Sequence, residues 1–198
     1  GLELAVDALD TERERLTRRV DNLLTLARLE AGLARPRPEP VPPAEILRAA
    51  REALHATLHG HSVETTVAAD CPELLVDAPL TVEIVVNLLE NAARASGSGA
   101  PLELAAAADA SSLRRVIIQV MDRGPGLPRG VRARFAVPGA RRQTALEFAA
   151  GGLGLEIADS LARAQGGELM LIERLGGGTV ARLQLPAAPE LAAEGEVA

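Results

Sequence analysis

The sequence predicts an α/β two-layer sandwich, a mixed sheet with helices on one face, preceded by a helix of the coiled-coil or four-helix-bundle type. Three observations predict it. Apolar residues alternate along runs at 102–108, 113–122, 168–173 and 179–185, and short stretches of turn-forming residues join these runs in pairs, as in hairpins. Segments at 44–60, 80–95 and 153–165 repeat apolar residues every three or four positions, the signature of helices with one buried face. At the N-terminus, Leu2, Val6, Leu9, Leu16, Val20, Leu23 and Ala27 form a heptad seam broken only at Arg13.

The composition narrows the functions open to such a fold. Of 198 residues 47% are hydrophobic, enough for one medium core plus an appendage. A net charge of -6 and 1% aromatics provide neither a basic groove nor stacking platforms, so nucleic acid is not an expected partner. All 21 basic residues are arginine, which excludes a Walker-type phosphate loop and kinases that need a strand lysine. Cys71 is the only cysteine, so neither an intrachain disulfide nor a thiolate zinc cage is expected. The longest apolar-rich run, 84–89, is interrupted by Asn87 and is too short to span a bilayer. A cytoplasmic location is expected for the chain. Its start at Gly1, directly in helical pattern, reads as part of a longer parent that could itself be membrane-anchored.

In chain order, residues 1–35 read as the seam helix, which wants a partner helix or a second copy of itself. Residues 36–43 include five prolines and read as an extended linker. The domain at 44–186 opens with a helix whose Ile46, Leu47, Ala50, Leu54 and Leu58 face inward, followed by strands at 62–69 and 74–77. His55 and His59 are one helical turn apart, with His61 nearby, but with no third ligand in view they read as surface or helix-end residues. Pro79 starts the next helix, which turns Ile84, Leu88, Ala92 and Ala95 inward and ends at Gly97-Ser98-Gly99. The run at 113–122 is apolar on both faces, so it reads as a central strand, closed by Asp122. The last helix carries Ile157 and Leu161 inward and stops at Gly166-Gly167. The final hairpin turns at Gly176-Gly177-Gly178, and residues 187–198 read as a disordered tail.

Three stretches carry chemistry. In Asn87-Leu88-Leu89-Glu90-Asn91-Ala92-Ala93-Arg94, two carboxamides one turn apart suit a site that needs neutral oxygen ligands and N–H donors together. Taken alone, they could simply be two asparagines on a solvated stripe. Asp122-Arg123-Gly124-Pro125-Gly126 brings a carboxylate off a buried strand, with glycines that let backbone approach a flat, amino-bearing base such as adenine. Gly151-Gly152-Leu153-Gly154-Leu155 precedes a helix whose unpaired N–H groups and dipole suit phosphates.

In this order, together with Gly178-Thr179, the set resembles the ATP-binding catalytic domain of bacterial sensor histidine kinases. That is the Bergerat (GHKL) fold shared with gyrase, Hsp90 and MutL-type ATPases. The likeness covers roughly 44–186, and residues 19–32 resemble the end of the second helix of that family's dimerisation and phosphoacceptor hairpin. The wording around Asn87–Arg94 and Asp122–Pro128 is closest to the potassium-responsive sensor kinases.

The resemblance implies Mg²⁺ held by Asn91 and supported by Asn87, with Arg94 at the phosphate tail. It implies that Asp122 receives the adenine amino group, Gly124 and Gly126 shape the base pocket, Gly152, Leu153 and Gly154 cradle phosphates, and Thr179 adds a contact near the base. It further implies ATP and Mg²⁺ as cofactors, a homodimer through the N-terminal helix, a response-regulator partner, and a parent in the inner membrane with this part in the cytoplasm. The sequence departs from the family pattern in three places. No histidine here has the phosphoacceptor's neighbours. The lid has only Phe135 of two usual phenylalanines, with Arg132 at the other, and Ala150 replaces the leading glycine of the phosphate loop. Competing readings are a degenerate interaction module that does not bind ATP and an anti-sigma-type serine kinase, which the heptad helix and linker disfavour. A gyrase- or Hsp90-type hydrolase would place a glutamate where Asn87 stands.

Overall fold

The computed structural model describes residues 35–54, 58, 60–97, 99–127, 135 and 152–189, with positions 13, 16–17, 20–21, 23–25, 27–28 and 31 near the N-terminus. Its elements, in order, are β1 (Glu39–Val41), α1 (Pro43–Ala53), β2 (Val63–Val67), β3 (Leu74–Val76), α2 (Ala78–Ala95), β4 (Leu102–Asp109), β5 (Ser112–Met121), α3 (Gly152–Ala164), β6 (Glu168–Glu173) and β7 (Thr179–Pro186). Five strands form one mixed sheet in the order β2-β4-β5-β7-β6, in which only β2·β4 is parallel. Alternation decides which face of this sheet is covered. Leu104, Ile118 and Leu183 are buried on the side of the helices, whereas Ile117 and Gln119 on the opposite side of β5 are only half-buried. β5 is central, as its composition predicts, but nothing covers its second face among the described residues. The result is the expected two-layer sandwich.

Local chemistry explains most boundaries. Pro43 starts α1 with its preset φ, and Ile46, Leu47 and Ala50 are buried along one stripe. The helix stops at Ala53, earlier than the expected 60, although Leu54 and Leu58 are still buried as expected. The N-cap of α2 is Asp77, whose Oδ1 accepts from Leu80 N at 3.2 Å, so Asp77 belongs to the helix start and not to the preceding strand. α2 buries Ile84, Leu88 and Ala92 as expected, but Ala95 at its C-terminal end is exposed. Asp109 turns β4 into β5 by accepting from Ser111 N at 2.9 Å and Ser111 Oγ at 2.7 Å.

Two features lie beyond the pattern read from sequence. The proline-rich stretch contributes β1, which pairs antiparallel with β3 in a small separate sheet. Ala187, just past β7, bridges Leu74, and Ala188 N donates to Glu73 O at 2.7 Å. The N-terminal positions that are described between 13 and 28 are helical, and Leu16, Val20, Leu23 and Leu24 are exposed. His55, His59, Arg132, Ala150, Gly151, the first seam residues and the tail from 190 lie outside the described residues.

Candidate nucleotide site

α2 and α3 pack antiparallel, since Gly154 at the start of α3 meets Asn87 and Asn91 while Gln165 past its end reaches Asp77 and Thr81. That crossing brings two separate motifs into one place. A Cβ on Gly154 would stand 3.1 Å from Asn87 Oδ1 and 3.5 Å from Asn91 Nδ2, so hydrogen at this position is what leaves the carboxamides room against the helix N-terminus. Asn87 is 4% exposed, and its Nδ2 donates to Glu83 O at 2.8 Å. A carbonyl can only accept, which fixes the amide orientation and leaves Oδ1 on the Gly154 side. Asn91 Oδ1 receives Arg94 Nη1 at 3.3 Å, and a guanidinium can only donate, so this amide too is fixed. Its Nδ2 is buried and has no hydrogen-bond partner among the described residues. Such an orphan donor costs about 1–3 kcal/mol when left dry, which marks it as a group awaiting an acceptor. Gly152 and Leu153 lie in the first turn of α3, where backbone N–H groups have no partner within the helix.

The C-terminal end of α2 meets the loop that Asp122 opens, at Gly124. Asp122 is 5% exposed and continues the β5·β7 ladder, its N donating to Thr179 O at 2.9 Å. Its Oδ1 accepts from Gly124 N at 2.8 Å and from Thr179 N at 3.1 Å, and its Oδ2 accepts nothing among the described residues. The buried Asp122 therefore keeps one acceptor open. Gly124 lies flush on the helix end: a Cβ there would come within 2.6 Å of Ala95 O. Gly126 has φ +84° and faces Gly178, and Thr179 is buried beside Asp122. From Asn87 to Ala95 the axis of α2 covers roughly 12 Å at 1.5 Å per residue. The residues read from the sequence are thus arranged along the C-terminal half of α2, with the carboxamides and the α3 N-terminus about one to two turns before its end and a carboxylate with close-approach glycines at that end. Arg94 is exposed beside Asn91.

Sequence reasoning missed a charged group at the carboxylate end. Glu103 on β4 receives Arg174 Nη2 at 2.7 Å and Arg123 Nη2 at 3.4 Å. The hydrogen bond from Arg174 is the main reason the Glu103 carboxyl is held below its ordinary range, with burial opposing and both guanidinium charges helping. Nothing local in the sequence links residues 103 and 174. Among the described residues no group of three His, Cys, Asp or Glu side chains could hold a metal ion. A cavity of about 440 Å³ between α1 and β2 is lined by Arg48, Arg51, Glu52, His61 and neighbours, and it contains none of the residues above. Its guanidinium groups already have partners, Arg48 in Glu52 and Arg51 in Thr65, so it has no counterpart to the orphan of Asn91.

Residues 76–189, which include both ends of this site, match the model of the histidine kinase-, DNA gyrase B-, and HSP90-like ATPases. The chain belongs to this family. Among its relatives, the sensor protein KdpD of Escherichia coli K12 is 32% identical over 181 residues, 88% of this chain and 19% of KdpD. The probable sensor histidine kinase TcrY of Mycobacterium tuberculosis is likewise 32% identical, over 83% of this chain and 34% of TcrY. The chain thus spans between a fifth and a third of these relatives. Full-length ShkA, solved in complex with AMPPNP, superposes with a TM-score of 0.71 at 28% identity, covering 94% of this chain and 39% of ShkA. These relatives identify the chain as the ATPase-type domain of sensor histidine kinases, on the Bergerat α/β sandwich, and KdpD among them meets the potassium-responsive likeness in the sequence. None of the three supports the serine-kinase, hydrolase or degenerate-module readings.

Proposed function

We propose that the chain is the ATP-binding catalytic part of a sensor histidine kinase and that it holds Mg-ATP along α2. The carrying observation is the buried Nδ2 of Asn91 beside Gly154, without a partner among the described residues and about one helical turn before Ala95, where the loop that bears the open carboxylate oxygen of Asp122 packs. Asp122 Oδ2 accepts the adenine amino group, while Gly124 and Gly126 let the base lie against backbone and Thr179 closes the pocket. Asn91 turns its Oδ1 to the metal and its Nδ2 to a phosphate oxygen, with Asn87 Oδ1 supporting it. Gly152, Leu153 and Gly154 offer the first-turn N–H groups of α3, and Arg94 stands over the phosphate tail. Bound Mg²⁺ supplies charge neutralisation on the phosphates. The protein's own contribution is alignment and an electrostatic cradle, with no covalent chemistry by this domain.

In the intact parent the γ-phosphate goes to a histidine on a partner helix and then to a response-regulator aspartate. The exposed stripe of Leu16, Val20, Leu23 and Leu24 supports pairing of the N-terminal helix in a homodimer. Among the described residues no helix is long and apolar enough to cross a membrane. A parent anchored in the inner membrane would carry this part on the ATP-containing, cytoplasmic side. The domain arrangement that goes with this reading is 1–35 from the dimerisation hairpin, 36–43 as the connection, 44–186 as the catalytic domain and a tail from 187.

Titration calorimetry with ATP, with and without Mg²⁺, tests the reading. Saturable, Mg²⁺-dependent binding is expected. Asp122→Asn should weaken it about tenfold or more, since a hydrogen bond to a charged group is worth about 1.5–3 kcal/mol. Gly154→Ala should keep the fold and weaken the phosphate end, because its methyl group takes the space between the two carboxamides. No binding at millimolar ATP would overturn the assignment.

A further inference from the structure

Resting on the reading of Asp122 as the adenine acceptor, we propose that Arg174, held by Glu103, is a positioning residue that aims this carboxylate and so sets the preference for adenine. The two donors that orient Asp122 Oδ1 come from different places. Gly124 N is part of the same loop, but Thr179 N belongs to β7, directly after the β6–β7 turn. That turn contains Gly176, Gly177 and Gly178 at φ +86°, +101° and +103°, three consecutive residues with little conformational preference of their own. A turn of this kind does not fix Thr179 by itself. Register with Glu173 on β6 and the bond from Asp122 N to its carbonyl hold Thr179 within the sheet, so what the turn lacks is a tie of its own to the end of β5.

Arg174 is placed for the task. Its backbone closes the turn, with Arg174 N donating to Gly178 O at 3.0 Å and Gly177 N donating to Arg174 O at 3.1 Å. Its side chain is 15% exposed and leaves the turn in the other direction, Nη2 meeting Glu103 Oε1 at 2.7 Å on β4 and Nη1 meeting Asp122 O at 3.4 Å at the end of β5. The same Asp122 carbonyl is pressed against the turn from the other side, since a Cβ on Gly178 would lie 2.1 Å from it. One guanidinium thus ties the turn, the end of β5 and β4 together around Asp122. The planar fork of arginine can serve two oxygens at fixed angles, which the point charge of lysine cannot. Arg123 also reaches Glu103, but at 3.4 Å and with its side chain half exposed, so it backs the pair without holding the loop. The Arg174–Glu103 pair is partly buried, so it supplies chiefly geometry, with a modest, acid-sensitive share of stability. Discrimination by a hydrogen bond depends steeply on angle, and a misaimed acceptor loses selectivity before it loses binding.

The test compares wild type, Arg174→Ala and Arg174→Lys by two measurements. The first is calorimetric affinity for ATP and for inosine triphosphate, whose base carries a carbonyl oxygen where adenine carries its amino group. The second is amide hydrogen exchange at Gly124 and Thr179 without nucleotide. In Arg174→Ala the ATP preference should fall about tenfold while inosine triphosphate affinity stays near the wild-type value, and the Thr179 amide should exchange faster. Arg174→Lys should restore part of both. A purely structural role would lower both affinities together and leave their ratio alone, and that result overturns the proposal, as does an unchanged ratio with unchanged exchange. A wild type that binds neither nucleotide sinks the nucleotide reading and the specificity role with it. A wild type that prefers ATP beside an Arg174→Ala that keeps the preference sinks the role of Arg174 alone.

Discussion

Glu103 and Asp109 both have carboxyls held below their ordinary values, and the causes differ. For Glu103 the first cause is the Arg174 hydrogen bond; for Asp109 it is the backbone N–H of Ser111, followed by the Ser111 hydroxyl, with Gln184 and Arg182 adding to it. A carboxyl whose folded value is lowered contributes stability that is fully present above its unfolded value and is lost as pH falls through the folded one. The window therefore opens below the ordinary values of 4.5 for Glu103 and 3.8 for Asp109. Stability to denaturant should decline on acidification in that range, and Glu103→Gln should remove part of the decline. An unchanged slope in this variant would show that the Arg174 pair is not what acid breaks. At this scale the sequence was readable where neighbours in the chain are neighbours in the fold. Asn87 and Asn91 share a helix face, and Asp122 is bonded within its own loop. Glu103 and Arg174 meet only because β4, β5, β7 and β6 lie in that order, which no local pattern encodes.

Among the elements, the relation of α2 to α3 decides whether a nucleotide site exists, because Asn87 and Asn91 lie on one and Gly154 on the other. The end of the pair opposite the phosphate cradle is pinned by Gln165. Its Oε1 accepts from Asp77 N at 2.8 Å and from Thr81 Oγ1 at 3.2 Å, and its Nε2 donates to Leu161 O at 3.4 Å. Thr81 Oγ1 has a second acceptor in Asp77 O at 2.9 Å, so truncating Gln165 chiefly strands the Asp77 N–H. Gln165→Ala should then cost about 1–3 kcal/mol, read as a lower denaturant midpoint at unchanged slope. An unchanged midpoint would mean that apolar packing between the helices suffices. The hairpins and amphipathic helices were legible because each has its own period and turn chemistry. β1 was hidden because prolines mark it as linker, yet an edge strand tolerates Pro40. The parallel pairing of β2 with β4 was hidden because α2 intervenes between them.

On the scale of the whole molecule, the sandwich buries nearly all its large apolar residues, Ile172 and Leu175 excepted, but the N-terminal helix does not. Leu16, Val20, Leu23 and Leu24 fall at i, i+4, i+7 and i+8, a single stripe, and all four are exposed. Each such side chain gains about 1.5–3 kcal/mol when fully covered, a driving force that a helix of this pattern satisfies by pairing along its seam. A second helix fits this stripe, since ridges at three- and four-residue steps on one helix pack into the grooves of another. The chain should therefore self-associate through this segment, with a dimer by light scattering whose population rises with concentration. Replacing Leu16 and Val20 by glutamate should return it to monomer and leave ATP affinity unchanged, since both are exposed and neither belongs to the nucleotide site. A wild-type chain that stays monodisperse and monomeric at high concentration would count against pairing. A dimer that persists in the double variant would move the interface to the half-buried outer face of the sheet, where Met121, Val180 and Ile172 stand in register across β5, β7 and β6.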